Sequence, residues 1–235
     1  MGIELDVCLA RDGVPVVIHD ANLRRTALRE GLVAEMTSNE LGITDVGSWF
    51  NRAHPLLARA EYARQFLPTL DQVLTFIKNH PQAVVIYVEM KTDQAEEAHV
   101  DLSQAVVQLI RDHDLRSRAV VVSFNLRAVA QIKTVDPSIR TGALFEPRRN
   151  TLKIIRKHPM ITAALECGAE EILLHRLIAN RGIVDLSLES DLLPVVWTVD
   201  DPKWMLRATR SGIHAVITNN PAAMVKRVAR ADPEK

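Results

Sequence analysis

The sequence predicts an α/β fold built on a parallel sheet, and among such folds it favours a TIM-type (β/α)8 barrel. Short β-branched apolar runs alternate with helical stretches along the 235 residues, which is the pattern of repeated βαβ units. Polar residues end several of these runs, and in a barrel the carboxyl ends of all strands meet at one mouth, where active sites are built. The other common arrangement is an open doubly wound sheet. Neither GxGxxG nor GxxxxGK[ST] follows a predicted strand, so the two nucleotide fingerprints of such sheets are missing.

The predicted strands are nearly continuous apolar runs, as expected where both faces of a sheet are covered. They are Ile3–Val7, Val14–His19, Ala83–Met90, Ala119–Phe124, Thr141–Phe145, Glu171–Leu174, Leu193–Val199 and Ala215–Thr218. The predicted helices are Leu70–Asn79, Glu96–His113, Leu126–Thr134, Met160–Cys167, Pro202–Arg210 and Pro221–Ala231. The polar residues at strand ends are Asp6, Glu89 with Lys91, Ser123, Glu146 and Thr198.

One segment, Asn22–Leu67, breaks this alternation with a long polar and helical stretch between a strand and the next full unit. The sequence has no Ser/Gly-rich linker and no low-complexity tract that would separate a second domain. We therefore expect a single domain over residues 1–235, with residues 22–67 as an insertion within it.

Composition argues against several classes of partner. Lys+Arg and Asp+Glu both number 29, so there is no net field to attract nucleic acid or an acidic membrane. The 3 Trp, 2 Tyr and 5 Phe are too few and too scattered for a base-stacking surface. No apolar run reaches the roughly 18–20 residues that span a bilayer. Cys8 and Cys167 lie far apart without a CxxC motif, so we interpret them as small buried hydrophobes compatible with a reducing, cytoplasmic location.

The first predicted strand carries two acids, Glu4 and Asp6, that alternation places on one face, opposite its apolar residues. Carboxylates buried so close together repel one another and resist desolvation, and a hard divalent cation such as Mg²⁺ or Ca²⁺ relieves both effects. Glu89 ends another apolar strand and could supply a third ligand. Lys91 shares its face, where it could meet an anionic substrate.

Each of these patterns also has an ordinary structural interpretation. A Glu-x-Asp pair can be a solvated or salt-bridged strand edge, and Glu89 with Lys91 can be a local ion pair. His19 can be a structural histidine and Trp197 a core residue. Three further polar residues near strand ends can simply complete hydrogen bonds: Thr198, Asn219 and His175.

The motifs taken together resemble the glycerophosphodiester phosphodiesterase family. In order they are IELDV, DGVPVVIHD, TSNEL with DVGSWF, LPTLDQVL, VEMK, VVSF, VVWTVDD and AVITNNP, covering Ile3 to about Pro221. The resemblance implies a TIM barrel with a small insertion after its second strand, matching Asn22–Leu67. It also implies that VPVVIHD is an excursion at the barrel mouth that carries His19 over the metal.

The resemblance also implies roles for six residues and a reaction. Glu4, Asp6 and Glu89 match metal ligands, His19 matches a catalytic histidine, and Lys91 and Trp197 match substrate-binding residues. The implied activity is metal-dependent hydrolysis of a small-molecule glycerophosphodiester to glycerol 3-phosphate and an alcohol, in lipid and glycerol metabolism. The implied cofactor is one divalent cation, Mg²⁺ or Ca²⁺.

The chain departs from the family pattern at its start. Family members carry a strand with His-Arg and then a Pro-Glu-Asn segment before Glu-x-Asp, whereas here Met1-Gly2 directly precedes Ile3. We therefore expect the first βα unit to be missing, with a gap through which the chain could form a homo-oligomer. Three hypotheses stay open: a phosphodiesterase whose true start lies upstream, a relative that binds metal and phosphoesters without turnover, and a phospholipase. Against the last, no basic amphipathic stretch offers a membrane-facing surface.

Overall fold

The structure is a computed structural model that describes residues 1–80, 82, 84–92, 96–147 and 157–231. Two compact units make up the chain. The first contains Met1–Ser123 and Gln131–Ile139, and the second contains Phe124–Ala130 and Arg140–Lys235. One boundary between the two units falls within a helix, α5 (Leu126–Val135), whose residues up to Ala130 belong to the second unit and whose residues from Gln131 belong to the first.

The first unit is built on four strands in the order β2-β1-β3-β4. They are β1 (Gly2–Leu9), β2 (Pro15–Val17), β3 (Val85–Met90) and β4 (Ala119–Ser123). Strand β3 runs parallel to both β1 and β4, as the alternation of runs predicts. The predicted start of β3 at Ala83 lies outside the described residues, and the other three predictions differ from the observed strands only at their ends.

Strand β2 is antiparallel to β1, with Val7 opposite Val17 and Cys8 opposite Val16. The two strands form a hairpin because only a short turn joins them, and a parallel partner would need a crossover of a dozen or more residues. Gly13 has φ +77°, the left-handed conformation that glycine adopts without strain. The backbone N–H of Ile18 then donates to the carbonyl of Asp6 at 3.0 Å, so the chain that leaves β2 stays beside β1.

The insertion predicted at Asn22–Leu67 contains two short helices, α1 (Ser38–Gly42) and α2 (Ser48–Ala53), and three 3₁₀ turns. A capping box between Thr37 and Glu40 starts α1. The insertion and the hairpin share a small core of buried residues, which are Cys8, Ala10, Val16, Ile18, Leu23, Val33, Leu41 and Leu67. The insertion is therefore anchored to the hairpin by apolar packing.

Two longer helices complete the first unit. Helix α3 (Leu70–Lys78) begins at a capping box between Thr69 and Gln72, and α4 (Glu96–Asp112) follows β3. Arg111 of α4 donates through Nε to Asp136 at 2.7 Å, and Ser138 donates to the same carboxylate through Oγ at 2.6 Å. These hydrogen bonds lower the pKa of Asp136 well below its usual range, with Ser138 as the largest cause.

The second unit has four parallel strands in the order β5-β6-β7-β8. They are β5 (Arg140–Phe145), β6 (Glu171–His175), β7 (Leu193–Trp197) and β8 (Ala215–Val216). Its helices are α6 (Lys157–Glu166), α7 (Arg181–Glu189), α8 (Trp204–Arg210) and α9 (Pro221–Ala231). Helix α7 is missing from the sequence prediction, because Gly182 weakens its helical pattern. Its start signal is Asn180, whose side chain accepts from the Ile183 N–H.

Cys8 and Cys167 are both buried, as predicted. In the part of the chain that is described, no helix has both the length and the apolar character needed to cross a lipid bilayer.

Candidate active site

Three carboxylates from two neighbouring strands meet in the first unit. The parallel register of β1 and β3 places Asp6 directly beside Glu89. Glu4 lies two residues before Asp6 on β1, and its side chain is on the same face because strand side chains alternate. One carboxylate oxygen from each of Glu4, Asp6 and Glu89 lies within 4.8 Å of the other two. We call these three residues the acidic cluster, and they are the metal ligands expected from the sequence.

Burial and mutual repulsion both oppose ionisation of the acidic cluster. Only 8% of Glu89 is exposed, and burial raises the pKa of its carboxyl group above the usual range, with Asp6 adding to the rise. Burial also raises the pKa of Glu4 to about 7, and repulsion from Asp6 and Glu89 contributes to that rise. Ionising all three carboxyl groups together is therefore costly unless a positive charge compensates them.

Lys91 supplies a single positive charge to this cluster. Its Nζ lies 2.9 Å from Asp6 Oδ1 and also contacts Glu89 Oε1. The lysine side chain is only 14% exposed. Burial alone would lower the pKa of Lys91, but Glu89 and Asp6 outweigh burial and raise it, so the ammonium stays charged. The local ion pair considered from the sequence thus exists, and it extends to Asp6.

The donor set of the acidic cluster fits a hard divalent cation. Three ionised carboxylates and the Lys91 ammonium, the one cationic group that contacts them among the described residues, together carry two net negative charges, which Mg²⁺ or Ca²⁺ would neutralise. All three donors are carboxylate oxygens, the ligands that these cations prefer over nitrogen or sulfur. Burial, with repulsion from Asp6 and Glu89, raises the pKa of Glu4, and a bound cation would favour its ionised form.

His19 follows the hairpin and borders the same cavity as two members of the acidic cluster, Glu4 and Asp6. This cavity has a volume of about 330 Å³, and its lining includes Glu4, Asp6, His19 and Thr26. The Nδ1 atom of His19 is 2.6 Å from Asp20 Oδ1, and Arg25 Nε donates to Asp20 Oδ2 at 2.6 Å. The imidazole is 60% exposed, so it is not a packed core histidine.

Trp197, the substrate-binding residue expected from the resemblance, ends β7 in the second unit. Its ring makes edge-to-face contacts with Phe124, at 5.5 Å between centroids, and with His175, at 5.1 Å. The indole Nε1 is buried and has no hydrogen-bond partner among the described residues. Trp197 is half-buried, so it is not a fully enclosed core residue.

Other polar residues near strand ends have structural roles. Ser123 donates through Oγ to the Met90 carbonyl at 2.9 Å, and Asn219 donates through its backbone N–H to Asp200 at 2.7 Å. Glu146 is exposed. Two residues of the site were not predicted from the sequence. Arg25 contacts Asp20, and Thr26 lines the cavity that His19 borders. Their position a few residues after His19-Asp20 is the signal that could have indicated them. The hydroxyl of Thr26 is buried without a partner in the described ranges.

Comparison with known proteins agrees with this geometry. Residues 1–223 match the Glycerophosphoryl diester phosphodiesterase family. The chain belongs to this family. This match confirms the resemblance identified from the sequence motifs. Members of the family are phosphoric diester hydrolases.

Curated relatives of this phosphodiesterase family member match it over nearly its whole length. A glycerophosphodiester phosphodiesterase of Bacillus subtilis is 28% identical over 229 residues, covering 93% of this chain and 73% of the relative. That of Caldanaerobacter subterraneus subsp. tengcongensis is 25% identical over 236 residues, covering 97% of this chain and 86% of the relative.

Solved structures confirm the fold class of this family member. A phosphodiesterase of Oleispira antarctica, in complex with the product sn-glycerol-3-phosphate, is similar with a TM-score of 0.80 at 23% identity. The match covers 97% of this chain and 84% of that one. A glycerophosphodiester phosphodiesterase of Parabacteroides distasonis gives 0.77 at 23% identity, covering 98% and 84%. The predicted α/β fold of the TIM-barrel type is therefore correct.

Proposed function

We propose that this protein hydrolyses a glycerophosphodiester to glycerol 3-phosphate and an alcohol, using one divalent cation, Mg²⁺ or Ca²⁺. The observation that carries the proposal is the acidic cluster, with three carboxylates within 4.8 Å, beside a cavity that His19 also borders. Membership of the phosphodiesterase family supports hydrolysis over the alternative of binding without turnover. The relative that holds sn-glycerol-3-phosphate supports the choice of product.

In this proposal Glu4, Asp6 and Glu89 hold the cation. When bound, the cation would neutralise phosphate charge and make phosphorus more electrophilic. His19 is the proton-transfer group, removing a proton from the attacking hydroxyl or returning one to the leaving oxygen. Asp20 accepts a hydrogen bond from Nδ1–H of His19, which leaves Nε2 as the ring nitrogen that exchanges a proton with the substrate.

Lys91 and Trp197 bind the substrate in this proposal. The Lys91 ammonium stays charged beside Asp6 and Glu89, so it can attract the phosphodiester anion to the cluster. Trp197 offers an aromatic surface and an indole N–H with no partner among the described residues, and both suit a glycerol or head-group contact. The single domain, the cytoplasmic location and the homo-oligomer stay predictions from the sequence.

The test is release of glycerol 3-phosphate from glycerophosphocholine and glycerophosphoethanolamine by the purified chain, followed with a coupled dehydrogenase. Activity should disappear in excess chelator and return with Mg²⁺ or Ca²⁺. Glu89→Gln should weaken cation binding strongly in calorimetry. His19→Ala should lower kcat by about 10²–10⁴-fold, the usual worth of general acid–base catalysis.

The matched control for His19 is His80, an exposed histidine two residues after α3 that does not line the cavity. His80→Ala should change neither kcat nor cation binding. Because His19 is 60% exposed, His19→Ala should leave the melting temperature nearly unchanged. A folded chain that binds the cation but hydrolyses neither substrate would refute the proposed reaction. A chain that binds no cation would refute the metal site.

A further inference from the structure

We propose that Arg25 is a positioning residue that fixes the ring of His19 through Asp20, and that the insertion holds this arrangement in place. The inference rests on the proposed role of His19 as the proton-transfer group. Arg25 is the third member of a continuous chain of polar contacts. His19 Nδ1 is 2.6 Å from Asp20 Oδ1, and Arg25 Nε donates to Asp20 Oδ2 at 2.6 Å.

The charge state of Asp20 determines how the imidazole can bind it. The hydrogen bond from Arg25 is the largest cause of a lowered pKa at Asp20, and the contact with His19 acts in the same direction. An ionised carboxylate can only accept hydrogen bonds, so the short contact requires a proton on His19 Nδ1. When the imidazole is neutral, Nε2 is then the unprotonated nitrogen. Arg25 thus selects the histidine tautomer without touching the ring.

The position of Arg25 is itself fixed from two sides. Its guanidinium lies over the Trp49 ring of helix α2, with 5.5 Å from Cζ to the ring centroid. Its backbone belongs to a turn anchored by Leu23, which is fully buried in the core that the hairpin and insertion share. The Ala27 N–H closes this turn on the Leu23 carbonyl at 2.9 Å. The insertion therefore supplies both the anchor and the aromatic surface.

The neighbouring Arg24 provides a matched control. Its Nε pairs with Glu30 at 2.7 Å, and the two side chains are 71% and 79% exposed. Both arginines thus lie in the same turn and form a short ion pair, but only the partner of Arg25 also contacts His19. If substitution of Arg25 lowers activity and substitution of Arg24 does not, the loss is caused by the contact of Arg25 with Asp20 and, through it, with His19.

The first measurement is independent of activity. Long-range ¹H–¹⁵N spectra of the wild-type chain should show His19 as the Nδ1–H tautomer when neutral. Arg25→Ala and Asp20→Asn should each reduce that preference, Arg25→Lys should restore part of it, and Arg24→Ala should leave it unchanged. An unaltered tautomer in both Arg25→Ala and Asp20→Asn would overturn the proposal, even if the chain proved inactive as a phosphodiesterase.

The second measurement is steady-state hydrolysis of glycerophosphocholine. Arg25→Ala should lower kcat about 10-fold to 100-fold, as is typical for groups that orient a functional histidine, with KM changed less than about twofold. In the His19→Ala background the same substitution should lower kcat no further. A further loss of similar size in that background would mean that Arg25 acts on the substrate directly, which would overturn the positioning role. If Arg25→Ala unfolds, Asp20→Asn provides the same comparison.

Discussion

Cation binding to the acidic cluster should release a proton near neutral pH. Burial and repulsion from Asp6 and Glu89 raise the pKa of Glu4 to about 7, so its carboxyl group is about 90% protonated at pH 6 and about 10% at pH 8. A cation that binds all three carboxylates must displace this proton. We therefore expect about 0.9 proton released per cation at pH 6 and about 0.1 at pH 8, with an affinity about tenfold higher at pH 8.

Calorimetric titration of Mg²⁺ or Ca²⁺ in two buffers of different ionisation enthalpy measures the number of protons at each pH. Glu4→Gln keeps an oxygen ligand but carries no proton, so release should fall toward zero and the affinity should lose its pH dependence. Equal proton release at pH 6 and pH 8 would refute the electrostatic reasoning. Unchanged release in Glu4→Gln would show that the proton comes from another group.

Three further outcomes are expected. Lys91→Met should raise KM for the phosphodiester about 10-fold or more in steady-state kinetics, because it removes a charged contact. Trp197→Phe should raise KM severalfold while changing the free energy of unfolding by less than about 1 kcal/mol, since Nε1 has no partner among the described residues to lose. Asp136→Asn should lower the free energy of unfolding, measured by urea denaturation at pH 7, by about 1–3 kcal/mol, because it weakens the hydrogen bonds from Arg111 and Ser138. That difference should shrink as the pH falls from the usual range for aspartate toward the lowered pKa of Asp136, because the carboxylate stabilises the fold only while it is ionised in the folded chain.

The sequence predicts most of the secondary structure of this fold because the strands are continuous β-branched runs. Helix α7 is missed because Gly182 lowers its helical propensity, although Asn180 marks its start. The sense of β2 depends on the length of the turn before it, and the alternation of elements alone does not distinguish a hairpin from a parallel strand.

Only part of the acidic cluster is predictable from the sequence. Alternation along β1 places Glu4 and Asp6 on one face, but the proximity of Glu89 depends on the register of β1 against β3, which no local pattern determines. The contact of Lys91 with Asp6 follows from that same register. Arg25 is harder still to predict, because its link to Asp20 needs a turn whose shape is set by burial of Leu23 in the insertion core.

The hairpin makes much of this site local along the chain. Five residues of the site lie within the first 25 of the chain, namely Glu4, Asp6, His19, Asp20 and Arg25, whereas Glu89 comes 83 residues after Asp6. Closing the short loop between β1 and β2 costs little chain entropy compared with bringing β3 alongside β1. We therefore expect the histidine, its carboxylate partner and two of the three cluster acids to come together early in folding. The cluster would be completed only when β3 joins the sheet, so cation affinity should arise in a later step than the hairpin itself.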